Sequence, residues 1–456
     1  MKFTTALAAA SLLISNAFAA PSQVHISLGG SVDESGASSG MYVMWKTDDQ
    51  PTSTVKYGFS EDDLSNTITG SSKNYLNKHG YHHTALIENL SCDVSKVFYQ
   101  VGDPADGFSE IFTFKRAPCA KSNTKFSISI FGDMGYLDSD LRPPKIPHGD
   151  EPYHGLNKVW SATYSRNMLE SLKDNGEIDW VFHVGDIGYV DDSFASAPLK
   201  FTYEPVYDGY MSWIQNLTST MPYMVSPGNH ESECHSPICI AQELKYGRHL
   251  RNFTAFNERW TMPSKESGGS RDTNMWYSFN YGSVHFVSIN TETDWDGSEE
   301  QETGDSHIPW LKAGGFGEDG EFLTWLEADL AAAYADKKAG GRKWIIAAGH
   351  RPYSTIQEMK IEGLFIKYEV DVYFAGHSHS YSRTTSTTKP VYIVAGGAGC
   401  DEMGPSKDDL LLGPVGGDLI ESDKYSTGVL DVSDEKLSWR LIDSIDGSVI
   451  DSVDIA

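Results

Sequence analysis

The chain has 456 residues, enough for two or three domains around a large core, and a formal net charge of −27. That balance excludes a broad basic face for nucleic acid, and a site for an anionic ligand must bring its own positive charge. No long apolar run follows the first twenty residues, so no membrane span is expected.

The N-terminus has the layout of a secretory signal. Lys2 supplies the positive start, Ala6 to Ile14 is a short apolar stretch, and Ala17-Phe18-Ala19 is a small-x-small cleavage sequence. Residues 1–19 are therefore expected to be removed and the mature chain secreted, to the extracellular space or cell wall. Export gives meaning to the sequons opened by Asn89, Asn216 and Asn252, which become glycosylation candidates. It also permits disulfides among Cys92, Cys119, Cys234, Cys239 and Cys400. Cys234 and Cys239 could close a small loop, and Cys92 and Cys119 flank the end of the first domain. Those two pairs would leave Cys400 a free thiol, although spacing alone leaves the connectivity open.

From Pro21 to about Arg116 the pattern is β throughout. Val24, Ile26 and Leu28 alternate, as do Tyr42 and Met44 against Val43 and Trp45. Val55-Lys56-Tyr57 and Val97 to Val101 repeat the theme, between loops of Gly, Ser, Asp and Asn. Short strands at this spacing predict an antiparallel sandwich over residues 20–118, with His82 and His83 as structural members. Ala117-Pro118-Cys119 reads as the linker.

A second domain, 119–456, has a different rhythm. Phe126 to Phe131 reads as a buried strand, Lys158 to Leu172 as a helix, Ile178 to Val184 as a second strand, and Met224-Val225 as the end of a third. Glu321 to Tyr334 predicts a helix with Leu323, Leu326 and Leu330 on one face. Trp344 to Ala348, Val372 to Ala375 and Val391 to Ala395 are further strands. The alternation predicts an α/β domain. Asp294 to Gly320 reads as a polar surface loop, and hairpin-like strands return from Thr427, including Val429 to Val432 and Leu437 to Trp439.

Five motifs in this second domain share one grammar: an apolar strand, then Gly, then a side chain of metal-ligand type. They are Gly132-Asp133-Met134-Gly135, Gly185-Asp186-Ile187-Gly188-Tyr189, Gly228-Asn229-His230-Glu231, Gly349-His350-Arg351-Pro352 and Gly376-His377-Ser378-His379. A lone Gly-Asp after a strand is usually a turn or a helix cap. Five such motifs in one chain, each at a strand end, point to one shared metal site, because ligands in α/β sheets bind beyond the carboxyl ends of the strands. His377 and His379 can both serve it if they lie in the loop just past the strand, which Gly376 permits.

This ordered set resembles the purple acid phosphatase family within the metallophosphoesterases, over nearly the whole mature chain. Tyr81-His82-His83-Thr84-Ala85-Leu86 and Tyr99-Gln100-Val101-Gly102 are similar to the fibronectin-like N-terminal domain of the larger plant and fungal members. The resemblance implies a fibronectin III-like sandwich followed by an α/β metallophosphoesterase domain of two facing sheets flanked by helices. It implies a secreted acid phosphatase that hydrolyses phosphate monoesters by attack of a metal-bound hydroxide at a dinuclear centre of Fe(III) and a divalent Zn, Fe or Mn. Its partners would be small phosphorylated substrates, with neither nucleic acid nor membrane. The rival readings are a phosphodiesterase or nucleotidase on the same scaffold, and a secreted adhesion or carbohydrate-binding protein.

The expected ligands divide by chemistry. Asp133, Asp186, Tyr189 and His379 form a hard, mostly anionic set suited to trivalent iron; Asn229, His350, His377 and a shared, bridging Asp186 suit a divalent ion. A phenol with an ordinary pKa near 10 binds as phenolate only to a strongly acidic ion, and the resemblance implies that this Tyr-to-iron contact colours the protein. A trivalent and a divalent ion against Asp133, Asp186, phenolate Tyr189 and one hydroxide leave roughly one positive charge, which would attract phosphate to an acidic protein. His230 is the expected catalytic group and, with Asn229, the expected substrate contact; Glu231 is expected to support the ligands. Plant members carry extra histidines between the fourth and fifth motifs, and none stands between His350 and His377. Proton donation then falls to His230, or to a residue of the acidic insertion such as His307. Tyr381 and Arg383 are expected to buttress the site or touch substrate, and Gly396-Gly397-Ala398-Gly399 to form a turn near its floor.

Overall fold

The computed structural model describes residues 20–33, 36–76, 79–121, 123–136, 162–191, 203–232, 253–270, 273–298, 300, 317–384, 389–400, 419–422 and 424–455. The signal segment, Lys158, Cys234, Cys239, Asn252 and His307 lie outside the described residues.

Residues 22–115 supply nine strands: β1 (Ser22–Val32), β2 (Ser38–Thr47), β3 (Thr54–Gly58), β4 (Asn66–Thr69), β5 (Ser71–Lys73), β6 (Tyr81–Ile87), β7 (Lys96–Asp103), β8 (Gly107–Phe108) and β9 (Phe112–Lys115). They form two antiparallel sheets, β1-β2-β6-β5 and β4-β3-β7-β8, with β9 also on β7. The alternating residues Val24, Ile26, Leu28, Val43, Trp45, Val55, Val97 and Val101 fill the space between the sheets. The Cys92–Cys119 disulfide closes the end of this sandwich, and Cys400 is buried.

The polar face of β1 is also buried. His25 Nε2 lies 2.7 Å from the carbonyl oxygen of Arg259, and Ser27 Oγ donates to the carbonyl of Thr261 at 2.5 Å. That face is therefore the seam with the second domain. At its centre the Arg259 guanidinium donates to Glu204 Oε2 (2.6 Å), Asp208 Oδ1 (2.9 Å) and the Tyr75 hydroxyl (2.9 Å). Tyr75 donates in turn to Glu204, and Lys46 pairs with Asp208. Arg259 and Glu204 are fully buried, so removing either would strand the other charge in the interior.

The second domain contributes two facing sheets. The first, in the order β12-β11-β10-β20-β21-β22, contains β10 (Phe126–Phe131), β11 (Trp180–Val184), β12 (Tyr223–Ser226), β20 (Ser426–Val432), β21 (Leu437–Asp443) and β22 (Val449–Asp454). The second, in the order β13-β14-β15-β16-β18-β17-β19, contains β13 (Tyr277–Tyr281), β14 (Val284–Ser288), β15 (Trp344–Ala348), β16 (Val372–Ala375), β17 (Tyr381–Thr384), β18 (Val391–Ala395) and β19 (Leu419–Ser422). The hairpin strands expected after Thr427 are thus half of a sheet, with β20 antiparallel to β10. Aromatic side chains join the two sheets: Trp180 packs edge-on to Phe286 at 4.8 Å, and Trp439 lies 4.9 Å from Phe374. A Cβ on Gly428 would overlap the Trp439 ring, which explains a glycine in the middle of β20.

Helices Ala162–Asp174, Tyr203–Thr218 and Glu321–Lys338 flank the sheets. The last runs past the predicted end at Tyr334. Its buried stripe is Phe322, Leu326, Leu330 and Ala333, at helical spacing, and this rotates Leu323 to a half-buried edge.

The seam and sandwich hold imidazoles in an unusual state. His83 is wedged between Ser53 Oγ (2.8 Å) and Thr47 Oγ1 (2.7 Å) and stacks on Trp45. Burial holds both His25 and His83 down at about 4, against an ordinary value of 6.5. The unfolded chain therefore binds protons first as pH falls. Stability from these two groups is complete above about 6.5 and is lost progressively down to about 4. Denaturant midpoints measured between pH 7 and 4.5 are expected to fall, and His83→Gln is expected to flatten that slope. An equal slope in the variant would remove His83 as a cause.

Candidate metal centre

All five motifs begin where a parallel strand ends. β10, β11 and β12 run parallel in one sheet, and β15 and β16 run parallel in the other, so their C-terminal loops meet at one edge of the paired sheets. Four of the expected ligands, Asp133, Asp186, Tyr189 and His377, have φ between 49° and 68°. Such left-handed backbone costs about 1–3 kcal/mol per residue and persists only where surroundings impose it. Here the loops impose it on one another. Asp133 N donates to the Gly185 carbonyl (3.2 Å), His377 N to Asp133 Oδ2 (2.9 Å), Gly376 N to the His350 carbonyl (2.8 Å) and His230 N to Asp186 Oδ1 (2.9 Å). Glu231 accepts from the backbone amides of Asp186 (2.9 Å), Ile187 (2.8 Å) and Gly228 (2.8 Å), which clips the second and third motifs together.

Close approach explains the glycines. A Cβ on Gly228 would lie 2.3 Å from Asp186 Oδ1 and 2.6 Å from its backbone nitrogen, and one on Gly376 would lie 2.4 Å from Asp133 Oδ2. Gly185, Gly228 and Gly376 each make room for a ligand of another motif.

The structure brings the seven expected ligand side chains together in two groups. In the first, Tyr189 Oη lies 3.1 Å from Asp133 Oδ1 and 2.7 Å from His379 Nε2. In the second, His350 Nε2 lies 3.0 Å from both Asn229 Oδ1 and Asp186 Oδ2, and His377 Nδ1 lies 3.0 Å from Asn229 Oδ1. Donor atoms of Asp133, Asp186 and His379 lie within 4.8 Å of one another, as do those of Asp186, His350 and His377. Asp186 belongs to both.

These donors fit a pair of cations. His350 Nδ1 lies 3.0 Å from the Val184 carbonyl; donating its proton there turns the Nε2 lone pair toward Asn229 and Asp186. Asp186 Oδ2 is buried, with His350 Nε2 3.0 Å away. With His350 neutral, lone pairs of Asp186, Asn229 and His350 converge on one point, the arrangement a metal ion satisfies. The electrostatics agree. Burial pushes Asp133 up to about 6 against the pull of His350 and His379. Burial opposes protonation of His350, yet the charges of Asp186 and Asp133 outweigh it and push this imidazole up to about 9. Burial and the Asp133 carboxylate raise Tyr189 well above its ordinary range. Protons are drawn to the same atoms that cations would occupy.

His230 stands beside this cluster, partly exposed, its ring 4.2 Å from that of Tyr189 and its Nε2 3.9 Å from Asp186 Oδ2. Its Nδ1 lies 2.9 Å from Asp191 Oδ2. Asp191 is a site residue that sequence reasoning missed. Nothing in Gly188-Tyr189-Val190-Asp191 sets it apart from the other acids of the chain. On the opposite side Arg351 is held by both carboxylate oxygens of the buried Glu292, at 2.9 and 3.0 Å, with Nη1 3.4 Å from His377 Nε2.

Of the Asp294–Gly320 segment, residues 294–298, 300 and 317–320 are described: Asp296, Glu318 and Asp319 are exposed, while Ser298 and Glu300 are buried. Two of its acids bind the chain itself: Glu300 Oε2 accepts from Thr293 Oγ1 at 2.5 Å and Asp294 Oδ1 from Gly320 N at 2.8 Å. One expectation is corrected. Tyr381 and Arg383 bind neither the site nor a position open to substrate; both bond Asp451 on β22, at 2.6 and 2.8 Å, and tie the two sheets together. Gly396 does lie at the floor, where a Cβ would meet the Ser378 carbonyl at 2.0 Å and Asp133 Oδ2 at 2.9 Å.

Comparison with known proteins agrees with this geometry. The profile of calcineurin-like phosphoesterases matches residues 126–381, that of the purple acid phosphatase N-terminal domain residues 21–116, and that of the iron/zinc purple acid phosphatase-like protein C region residues 389–452. Acid phosphatase A of Cryphonectria parasitica is 30% identical over 450 residues, covering 87% of this chain and 85% of its own. The chain belongs to the purple acid phosphatase family. An acid phosphatase of Aspergillus ficuum is 27% identical over 493 residues (82% of this chain, 75% of its own), and the probable purple acid phosphatase 20 of Arabidopsis thaliana is 28% identical over 402 residues (83% and 74%). The purple acid phosphatase from yellow lupin seeds shares the fold, with a TM-score of 0.66 over 95% of this chain and 74% of its own at 19% identity. This purple acid phosphatase is thus an enzyme, an acid phosphatase, and the adhesion reading falls.

The close approach at Gly228 can be tested directly. Gly228→Ala should keep the fold by circular dichroism but lose bound metal on dialysis, with activity lowered about 100-fold by misplacement of Asp186. Full metal content with activity near that of the parent would refute the argument.

Proposed function

We propose that this purple acid phosphatase is a secreted phosphomonoesterase with Fe(III) in the Asp133, Asp186, Tyr189, His379 set and a divalent Zn, Fe or Mn in the Asn229, His350, His377, Asp186 set. The observation that carries this reading is Asp186, whose buried carboxylate belongs to both donor groups. When bound, such a metal pair supplies Lewis-acid charge for the phosphoryl oxygens and activates water. Asn229 and His230 contact the phosphate. His230 in its imidazolium form donates its Nε2 proton to the leaving oxygen, while Asp191 accepts from Nδ1 and holds the ring in place. Secretion is supported by the signal-like N-terminus, by the Cys92–Cys119 disulfide and by the exposed sequon residues Asn89 and Asn216. No described helix is long and apolar enough to cross a membrane.

Elemental analysis is expected to give close to two metals per chain, one of them iron, and Tyr189→Phe is expected to bleach or shift a visible absorption band. Full activity without iron would overturn the mixed-metal assignment, and an unchanged spectrum would remove Tyr189 from it. A higher kcat/KM for bis(p-nitrophenyl) phosphate than for p-nitrophenyl phosphate would turn the reading toward a phosphodiesterase.

The proton-donor role predicts a leaving-group effect. An alkoxide needs a proton and a nitrophenolate hardly does, so His230→Ala should slow alkyl phosphates by about 10²–10⁴-fold and nitrophenyl phosphate far less, with metal content intact. Asp191→Asn should act in the same direction by about 10–100-fold. Equal losses for both leaving groups would refute the assignment.

A further inference from the structure

The seam between the two domains encloses a cavity of about 330 Å³, at the lower end of the range for small-molecule sites. β2, β5 and β6 of the sandwich form one wall; the short helix Thr254–Arg259 and the segment after it form the other. Nothing in the phosphatase reading uses it.

The opposite wall is built rigidly. Asn274 Oδ1 accepts from Met262 N at 2.8 Å and its Nδ2 donates to the Trp260 carbonyl at 2.6 Å, while Asn257 Oδ1 accepts from Asn274 N at 2.7 Å. These amides are spent on holding the wall in place. Other polar groups of the lining are not spent. His82 is 7% exposed and its ring makes no hydrogen bond to a described residue. Ser264 is 2% exposed and its Oγ has no partner among the described residues. Buried polar groups left in this state ordinarily meet water or a ligand.

The chemistry of the lining narrows the ligand. Lys73 and Lys265 at the cavity are offset by Glu258, 3.5 Å from Lys73, and by Glu266, which accepts from Tyr42 at 2.6 Å. The cavity is therefore close to neutral, unlike an oxyanion site. Burial, followed by the charges of Arg259 and Lys46, keeps His82 well below its usual range, so it presents one donor and one acceptor. Hydroxyl groups of a ligand would complement His82 and Ser264 together, and Tyr42 offers aromatic surface beside them. We propose that this seam cavity binds an uncharged carbohydrate, of the size of a single pyranose ring, bridging the sandwich and catalytic domains.

The test uses the mature full-length protein and does not read phosphatase activity. Methyl α-D-glucopyranoside, methyl α-D-mannopyranoside, N-acetyl-D-glucosamine and myo-inositol are titrated while tryptophan fluorescence and Tm are followed. At least one should give a saturable response with Kd of about 1 mM and a rise in Tm. His82→Phe, which keeps a ring but no polar atom, should weaken it about tenfold, Ser264→Ala about fivefold, and His82→Gln should retain it. Should His82→Phe fail to fold, Ser264→Ala carries the comparison. Absence of a saturable response to any of the four up to about 100 mM overturns the proposal. So does a response unchanged in the polar-deletion variants. Tighter binding of inorganic phosphate that His82→Phe abolishes would also overturn it, since the cavity would then be an anion site.

Discussion

Asp186 carries a constraint that most of the catalytic domain is arranged to meet. Its carboxylate is fully buried, with Oδ1 accepting from His230 N and Oδ2 3.0 Å from His350 Nε2. Isolated in an interior, such a charge would cost several kcal/mol. The chain meets it with an imidazole whose Nδ1 faces the Val184 carbonyl, so that Nε2 serves Asp186 as a proton donor or a cation as a ligand. Burial alone would raise Asp186, but His350 and His230 hold it well below the usual carboxylate range. The oxygen is kept ionised, which is the state a cation needs.

Holding it so requires rigid surroundings, and Glu231 supplies much of that. Three backbone amides from two motifs converge on its carboxylate. Burial, followed by the nearby charge of Asp186, pushes Glu231 up to about 8, and the amide bonds from Ile187 and Gly228 pull the other way. A second acid so near the first is unfavourable in itself, and its three amide bonds show what it contributes: it fixes the loops at backbone positions no other side chain could reach together. The left-handed conformations of Asp186 and Tyr189 persist because these bonds over-determine them.

The sequence made the site legible because chemistry recurs there in compact form. Five Gly-led motifs at strand ends could be read without knowing which strands were neighbours, and the residues they name converge. Asp191 was not legible, because one more Asp in an acidic chain carries no local signature; only its 2.9 Å approach to His230 distinguishes it. The inward turn of Asp294 and Glu300 was hidden for the same reason, since acids that bind the chain look like acids that face water. In the sandwich, alternation gave the strands but not the fate of their polar faces. Gln23, His25 and Ser27 lie on a face that a lone domain would expose, and only the second domain, nearly two hundred residues later in the chain, buries it. The C-terminal strands were read as strands, yet their pairing with β10 is a long-range contact that no local pattern specifies.

The sandwich supplies no ligand, but it bears on the site through β12. Leu28 N of β1 donates to Met224 Sδ of β12 at 3.4 Å, and the Tyr99 hydroxyl of β7 donates to the Ser219 carbonyl just before that strand at 2.6 Å. The helix Tyr203–Thr218, which carries Glu204 and Asp208 into the Arg259 cluster, places Tyr210 3.3 Å from the Tyr223 hydroxyl, and Tyr223 reaches His183 of β11 at 2.8 Å. β12 is therefore braced by the sandwich, by a seam helix and by its parallel neighbour. It ends in Gly228-Asn229-His230-Glu231, which holds a candidate metal ligand, the proposed proton donor and the carboxylate that clips the loops. Catalytic groups need placement within a fraction of an ångström, and that precision comes from the elements behind them. A domain remote from the chemistry then has a physical reason to be joined to it by a buried charge cluster rather than by a flexible linker.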